Sequence, residues 1–283
     1  MSEFTPRQRT PLSVDVLEDV QGDVSAQVAK HTLRLIPPIA PGSILLDNAC
    51  GSGTVTEVVL ETLKPGVDGR YSILIHATDV APPRIQAITA KAAQYGWTDV
   101  VKPAIVPAQA LTFDDGTFTH SWMNFALFAI PQADQAAAHV YRTLKPGGIA
   151  VVTTWASMPH WAAVNAAHEA TRDGDAALRL TIPERWYAAS TLEHALTQAG
   201  FSSVRMSRKD AYLKIKDVHR WVQYAWSILG QPATGWESRD EEEWEKAISV
   251  LEERLTTLEE FERVGKEGAC IQMIANIAIA IKQ

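Results

Sequence analysis

Between residues 43 and 154 the chain alternates short apolar runs with segments of helical period. Residues 43–48, 72–78, 100–106, 119–124 and 149–154 are apolar runs too short for helices, bounded by Gly, Pro and Asp clusters, and they predict five strands. Between them Val58, Val59 and Leu63, then Ile85, Ile88 and Ala92, and then the stretch 133–144 carry helical spacing. Pro103 cannot donate to a ladder, so the third strand is expected at an edge. Thr54 with Glu57 reads as a capping box that starts the first of these helices. Lys145-Pro146-Gly147-Gly148 reads as the turn into the fifth strand. Strands and helices alternating in this way predict an α/β fold with a parallel sheet covered on both faces.

The pattern changes after Trp155. Residues 159–174 and 192–199 read as helices, the second closed by Gly200, and 203–208 and 211–215 read as extended. Two amphipathic helices follow. Val218, Trp221, Val222, Ala225, Trp226 and Leu229 form the stripe of one, and Trp244, Ile248, Leu251, Leu255 and Leu258 that of the other. Residues 269–281 are apolar and branched enough for a last strand. At the other end, Pro6 and Pro11 predict irregular chain over residues 1–17, and Val24, Val28, Leu33 and Leu35 predict a helix that stops before Pro37-Pro38.

Composition narrows the function classes. A chain of 283 residues with 46% hydrophobic residues can build a large core. Its net charge of −7, with no dense Lys/Arg block, argues against nucleic acid as a partner. No apolar run reaches membrane-spanning length, and residues 1–9 lack a signal-peptide apolar region, so no membrane partner is expected. Cys50 and Cys270 make neither a disulfide framework nor a zinc site, and read as small packing residues in a reducing, cytoplasmic setting. Seven of the nine tryptophans fall in the later half, at Trp155, Trp161, Trp186, Trp221, Trp226, Trp236 and Trp244. They point to an aromatic cavity or to packed core.

The chemistry concentrates in Leu45-Leu46-Asp47-Asn48-Ala49-Cys50-Gly51-Ser52-Gly53-Thr54, a strand running into an acidic, glycine-bearing loop and then a helix. Gly51 and Gly53 allow a tight turn and the close approach of a ligand. Such a corner stands where open α/β sheets bind ligands. Two cofactors compete for it. A dinucleotide fingerprint needs a third glycine where this chain has Thr56, whereas Asp47 ahead of the loop suits an ammonium group better than a phosphate.

The segment resembles motif I of the class I S-adenosylmethionine-dependent methyltransferases, D-x-A-C-G-x-G, of the small-molecule, ubiquinone-biosynthesis type. Further segments match that family in order. Asp79 ends the second strand, Ala108-Gln109-Ala110-Leu111 with Phe113-Asp114-Asp115 follows the third, Asn124-Phe125 follows the fourth, and Leu144-Lys145-Pro146-Gly147-Gly148 precedes the fifth. The resemblance implies a Rossmann-like seven-stranded sheet of order 3-2-1-4-5-7-6, strand seven antiparallel, with a helical lid. It implies S-adenosyl-L-methionine as cofactor, held by Asp47, Ala49, Gly51, Gly53, Asp79, Val80, Ala108, Gln109, Asn124 and Phe125, with Asp79 on the ribose hydroxyls and Val80 on the adenine. The family's usual Asp ahead of Ala108 is Pro107 here, so Gln109 or a nearby carbonyl would meet the adenine amino group. The whole chain, 1–283, is expected to be one such domain, with lid helices at 1–40, the cofactor core at 41–155, a substrate region at 156–267 and the last strand at 268–283.

The expected reaction is methyl transfer to S, O or N of a small, largely apolar metabolite, a thiol of an epidithiodiketopiperazine among the candidates. His160 is the candidate base, and Trp155 and Trp161 beside it are candidate substrate contacts. No acidic cluster is spaced for a metal. His31 and Arg34 are placed to meet the cofactor carboxylate. Two other classes stay open: an NAD(P)-dependent oxidoreductase, and a protein that binds the same cofactor without methylating.

Overall fold

The computed structural model describes residues 4–67, 69–172 and 176–283. In chain order they form α1 (Val14–Gln21), α2 (Val24–Thr32), β1 (Ile44–Asn48), α3 (Thr54–Leu63), β2 (Leu74–Asp79), α4 (Pro82–Gln94), β3 (Val101–Ile105), β4 (Phe118–Asn124), α5 (Ala133–Thr143) and β5 (Leu144–Ser157). Then come α6 (His160–Thr171), α7 (Ala189–Gln198), β6 (Ser203–Ile215), α8 (Val218–Leu229), α9 (Ser238–Glu242), α10 (Trp244–Thr256), β7 (Phe261–Val264) and β8 (Gly268–Ile281). Residues 173 and 174, expected to close the helix after Trp155, lie outside the described residues, as do residues 1–3 of the N-terminal stretch.

The strands form one sheet of order β3-β2-β1-β4-β5-β8-β6, and β7 pairs with β8. The pairs β1–β2, β1–β4, β2–β3 and β4–β5 are parallel. Lys282, after β8, exchanges backbone bonds with Gly147 and Gly148 near the start of β5. Asn276, earlier in β8, reaches Thr154 and Trp155 near the end of β5. These pairings run β8 against β5, the antiparallel strand expected from the family. The sheet departs from expectation in having an added short strand, β7, so the antiparallel strand is the eighth in chain order. β7 pairs antiparallel with the start of β8, from Phe261 beside Ile271 to Val264 beside Gly268.

Other differences are local. Residues 14–21 are helical, because Ser13 accepts from the amide of Val16 and caps α1. Thr54 does not cap α3. Gly53, in the left-handed region at φ 88°, precedes the helix, and Glu57 pairs with Lys91 at 2.6 Å instead of reaching back. The two extended pieces after Gly200 are one strand, β6. Lys145-Pro146-Gly147-Gly148 is a bulge inside a longer β5, since Phe118 lies opposite Leu144 while His120 lies opposite Ile149.

The chain divides into two compact units. One comprises Ser25–Ala156, Pro183–Lys209 and Ala275–Gln283 and holds the parallel strands. Leu45, Leu46, Ile75, Ala77, Met123, Val151 and Val152 are buried there, consistent with a sheet covered on both faces. The other comprises Met1–Val24, Ser157–Ile182 and Asp210–Ile274. In it α6 packs along α10, and α8 packs on α10, α6 and α1. The two stripes read from the sequence form its core: Trp221, Val222, Trp226, Trp244, Leu251 and Leu255 are all buried.

Candidate cofactor site

The chain passes from β1 to β2 and β3 on one side and returns to β4 on the other. In open α/β sheets such a reversal is where a ligand crevice lies, here at the carboxyl ends of β1 and β4. The loop there is unusually constrained. Ala49 and Gly51 both take positive φ, 55° and 57°, and the amide of Cys50 donates to the carbonyl of Thr78 at 2.8 Å. A Cβ on Gly51 would meet nothing within 4 Å, so this turn faces open space. A Cβ on Gly53 would run into Ile88, so its glycine serves helix packing.

Asp47 is buried and accepts at one oxygen from the amide and the hydroxyl of Thr56, at 3.0 and 2.7 Å. It thus occupies an amide in the first turn of α3, where a dinucleotide phosphate would sit. Burial raises its pKa to about 6, against the opposing pull of the Thr56 bonds. Burial and the charges of Asp47 and Asp79 also push the Cys50 thiol up, which keeps it protonated and unreactive. Asn48, fully buried, accepts from the Thr78 hydroxyl at 3.4 Å and leaves its amide nitrogen without a partner.

Asp79, whose side chain is 1% exposed, links the two strand ends. Its Oδ2 accepts from the Gly51 amide at 3.0 Å and from Arg84 at 3.3 Å, and its Oδ1 accepts from the Ala81 amide at 2.9 Å. Beside it Val80 and Ile105 are 64% and 57% exposed. Ile105 is the register partner of Asp79, and Val106 donates to the Asp79 carbonyl. An acceptor flanked by two open apolar side chains suits a nucleoside. Ala108 and Gln109 follow in the short helix Ala108–Ala110, the first buried and the second half-buried. Arg142 holds the segment after them by bonding the carbonyls of Leu111 and Phe113.

At the ends of β4 and β5, Asn124 and Phe125 join Thr153. The Thr153 hydroxyl donates to Asn124 Oδ1 at 2.8 Å and accepts from the Phe125 amide at 2.9 Å. Phe125, at φ 54°, stacks flat on buried Trp155 with ring centres 3.8 Å apart. Asn124 also donates to the carbonyl of Ser25 at 3.4 Å, and Trp122 donates to Thr32. The first turn of α2 therefore lies at the carboxyl end of β4, and its last turn, with His31, lies back along the strand. The structure thus gathers Asp47, Ala49, Gly51, Gly53 and Asp79 at one corner and Asn124, Phe125 and Trp155 beside one another. Sequence reasoning missed Ile105, Arg84, Arg142 and Thr153; the pairing of an exposed isoleucine with Asp79 needed the β2–β3 register.

His160 and Trp161 belong to the other unit, at the start of α6. His160 is buried, its Nδ1 has no partner, and burial holds its pKa down to about 4. Its ring lies edge-on to Trp221 at 6.0 Å, and the Trp161 indole nitrogen is likewise unpartnered. In the same unit Arg172 pairs with Asp240 at 2.7 Å between the rings of Trp226 and Trp236. Among the described residues no group of three or more His, Cys, Asp and Glu is arranged to hold a metal ion. A cavity of about 630 Å³ in the sheet unit, lined by Gln132, Asp134, Arg185, Trp186 and His194, contains none of the expected site residues.

Comparison with known proteins now bears on this corner. Residues 46–150, from β1 into β5, match the family described as "Methyltransferase domain". Over these residues the chain is similar to class I methyltransferase domains. The chain is 25% identical over 170 residues to the methyltransferase tpcH of Aspergillus fumigatus, covering 58% of this chain and 59% of that protein. It is 24% identical over 170 residues to the acetylaranotin bis-thiomethyltransferase of Aspergillus terreus, covering 58% and 56%. These matches span less than two thirds of the relatives' length. The chain shares its fold with the [4+2]-cyclase SpnF, with a TM-score of 0.56 at 19% identity, over 91% of this chain and 81% of that one. No helix among the described residues is long and apolar enough to cross a membrane.

Proposed function

We propose that the protein is an S-adenosylmethionine-dependent methyltransferase acting on a small, largely apolar metabolite. One observation carries this reading: the Gly51 amide and the Asp79 carboxylate are joined at an open turn flanked by exposed Val80 and Ile105. The donor set fits the cofactor. Asp79 would hold the ribose, Val80 and Ile105 the adenine with Ala108 and Gln109, and Ala49, Gly51, Gly53, Asn124 and Phe125 the methionine side. Asp47 would fix the loop that faces the ammonium group. The dinucleotide reading loses support because Asp47 already occupies the Thr56 amide at the start of α3. The bound cofactor supplies an activated methyl group, and the chain's own residues align the acceptor and exclude water.

The acceptor part is assigned to residues 156–267 with the helices of 1–40, the cofactor part to 41–155, and the last strand to 268–283. His160, its Nδ1 unpartnered, would accept a proton or hydrogen bond from an acceptor hydroxyl, with Trp161 against the acceptor's apolar body; Trp155, in the sheet unit, is a separate candidate contact. Kinship with a bis-thiomethyltransferase supports a sulfur acceptor, for which such a base matters less. A small-molecule partner and two free cysteines agree with a cytoplasmic location. The fold shared with a cyclase favours a second reading, a cofactor-binding protein that does not methylate.

Calorimetry with S-adenosylhomocysteine and with NADH tests the site, and binding of NADH alone overturns it. Incubation with methyl-labelled cofactor and a metabolite extract tests the activity. Label in a small molecule is expected, and binding without transfer selects the second reading.

A further inference from the structure

We infer that Thr153 is the positioning residue for the methyl-donor end of the cofactor site, acting through Asn124 and Phe125. The inference rests on the cofactor reading above. Thr153 is fully buried in β5 and lies opposite Asn124 of β4 in register. Its hydroxyl has one proton to give and can accept. The Phe125 amide can only donate, so at 2.9 Å it takes a lone pair, and the proton goes to Asn124 Oδ1 at 2.8 Å. That bond fixes which way the Asn124 amide faces, turning Nδ2 toward the Ser25 carbonyl at 3.4 Å.

The same hydroxyl holds Phe125 in the left-handed region, at φ 54°, which a bulky side chain leaves when nothing restrains it. There the Phe125 ring lies 3.8 Å from Trp155 at an interplanar angle of 7°. Loss of the hydroxyl strands the half-buried Phe125 amide and Asn124 Oδ1 together and releases the aromatic plate. A valine keeps the branched shape of threonine and removes only the bonds, so one oxygen atom determines the geometry of two site residues.

The test is calorimetric binding of S-adenosylhomocysteine to the full chain and to Thr153→Val, Thr153→Ser, Asn124→Ala and the Thr153→Val/Asn124→Ala double variant. Thr153→Val is expected to weaken binding about tenfold, a cost of about 1.4 kcal/mol, the order of one stranded polar group. Thr153→Ser keeps the hydroxyl and is expected to bind within twofold of the parent. The double variant is expected to lose clearly less than the two single losses multiplied together, because the part of the Thr153 effect that passes through Asn124 is counted once, while the part that passes through Phe125 remains. Unchanged affinity in Thr153→Val, a tenfold loss in Thr153→Ser, or losses that multiply in the double variant each overturn the inference. Thr153→Ala replaces the valine variant if that one does not fold. A parent chain that fails to bind S-adenosylhomocysteine overturns the cofactor reading instead.

Discussion

The glycine corner and the tryptophan-rich helical unit treat buried charged groups in different ways. At the corner the carboxylates of Asp47 and Asp79 accept from backbone amides of the turns after β1 and β2, so the fold that makes the loops also satisfies them. In the helical unit, Arg172 relies on the side chains of Asp240 and His168, and His160, Trp161, Trp226 and Trp236 keep ring nitrogens without partners. The first arrangement is rigid before any ligand arrives. The second is held by apolar packing and, among the described residues, a buried ion pair between side chains, so it tolerates the loss of a partner badly.

The largest effect expected from this contrast is on stability. Asp240→Ala leaves Arg172 charged and buried between two indoles, and should cost about 3–5 kcal/mol in denaturant unfolding. Replacing both partners by apolar residues should recover most of that loss; equal damage from the single and double variants would refute the pairing. Next comes pH. Asp47 titrates near pH 6 in the folded chain against 3.8 as its ordinary value, so the native state holds its proton more tightly. Stability from this group is present below the ordinary value and is lost as pH rises toward 6. His160 runs the other way. Its pKa is depressed from 6.5 to about 4, so stability is present above the ordinary value and lost as pH falls toward 4.

Each group is worth up to about 3 kcal/mol across its window. Unfolding curves from pH 4 to 7 should therefore separate them. Relative to the parent, Asp47→Asn should gain stability as pH rises and His160→Leu should gain it as pH falls. Parallel curves would sink the contrast.

Within the corner, Asp79→Ala should weaken S-adenosylhomocysteine binding by about 1–3 kcal/mol, the size of lost hydrogen bonds to a charged group. Unaltered calorimetric affinity would show that the carboxylate serves only the loop. The smallest effect concerns Arg84, an Asp79 partner whose side chain is 61% exposed. A ribose needs the lone pair that Arg84 uses. Arg84→Ala should therefore tighten binding about two- to fivefold at low salt, within the range of surface ion pairs. Weaker binding would mean that Arg84 holds the ligand.

Much of the sheet unit was legible in sequence because its signals are local. A strand, a small-residue turn and a helix within ten positions specify the corner, and edge placement of β3 followed from Pro103. The roles of Ile105 and Thr153 were not legible. Each depends on a strand neighbour, Asp79 on β2 or Asn124 on β4, and register has no signature in one strand alone. The capping box at Thr54 misled because a left-handed glycine already sets the start of α3. In the helical unit the stripes were read correctly, but the Arg172–Asp240 pair was not, because 68 residues separate its members.

The sequence alone therefore determined the alternation of strands and helices, the glycine turn and the apolar stripes, since these depend on residues a few positions apart. The tertiary structure decided which oxygen meets which amide: Thr56 on Asp47, Gly51 and Arg84 on Asp79, Asn124 and Phe125 on Thr153. Hydrogen bonds act over about 3 Å, and only packing the sheet brings such distant positions within that reach.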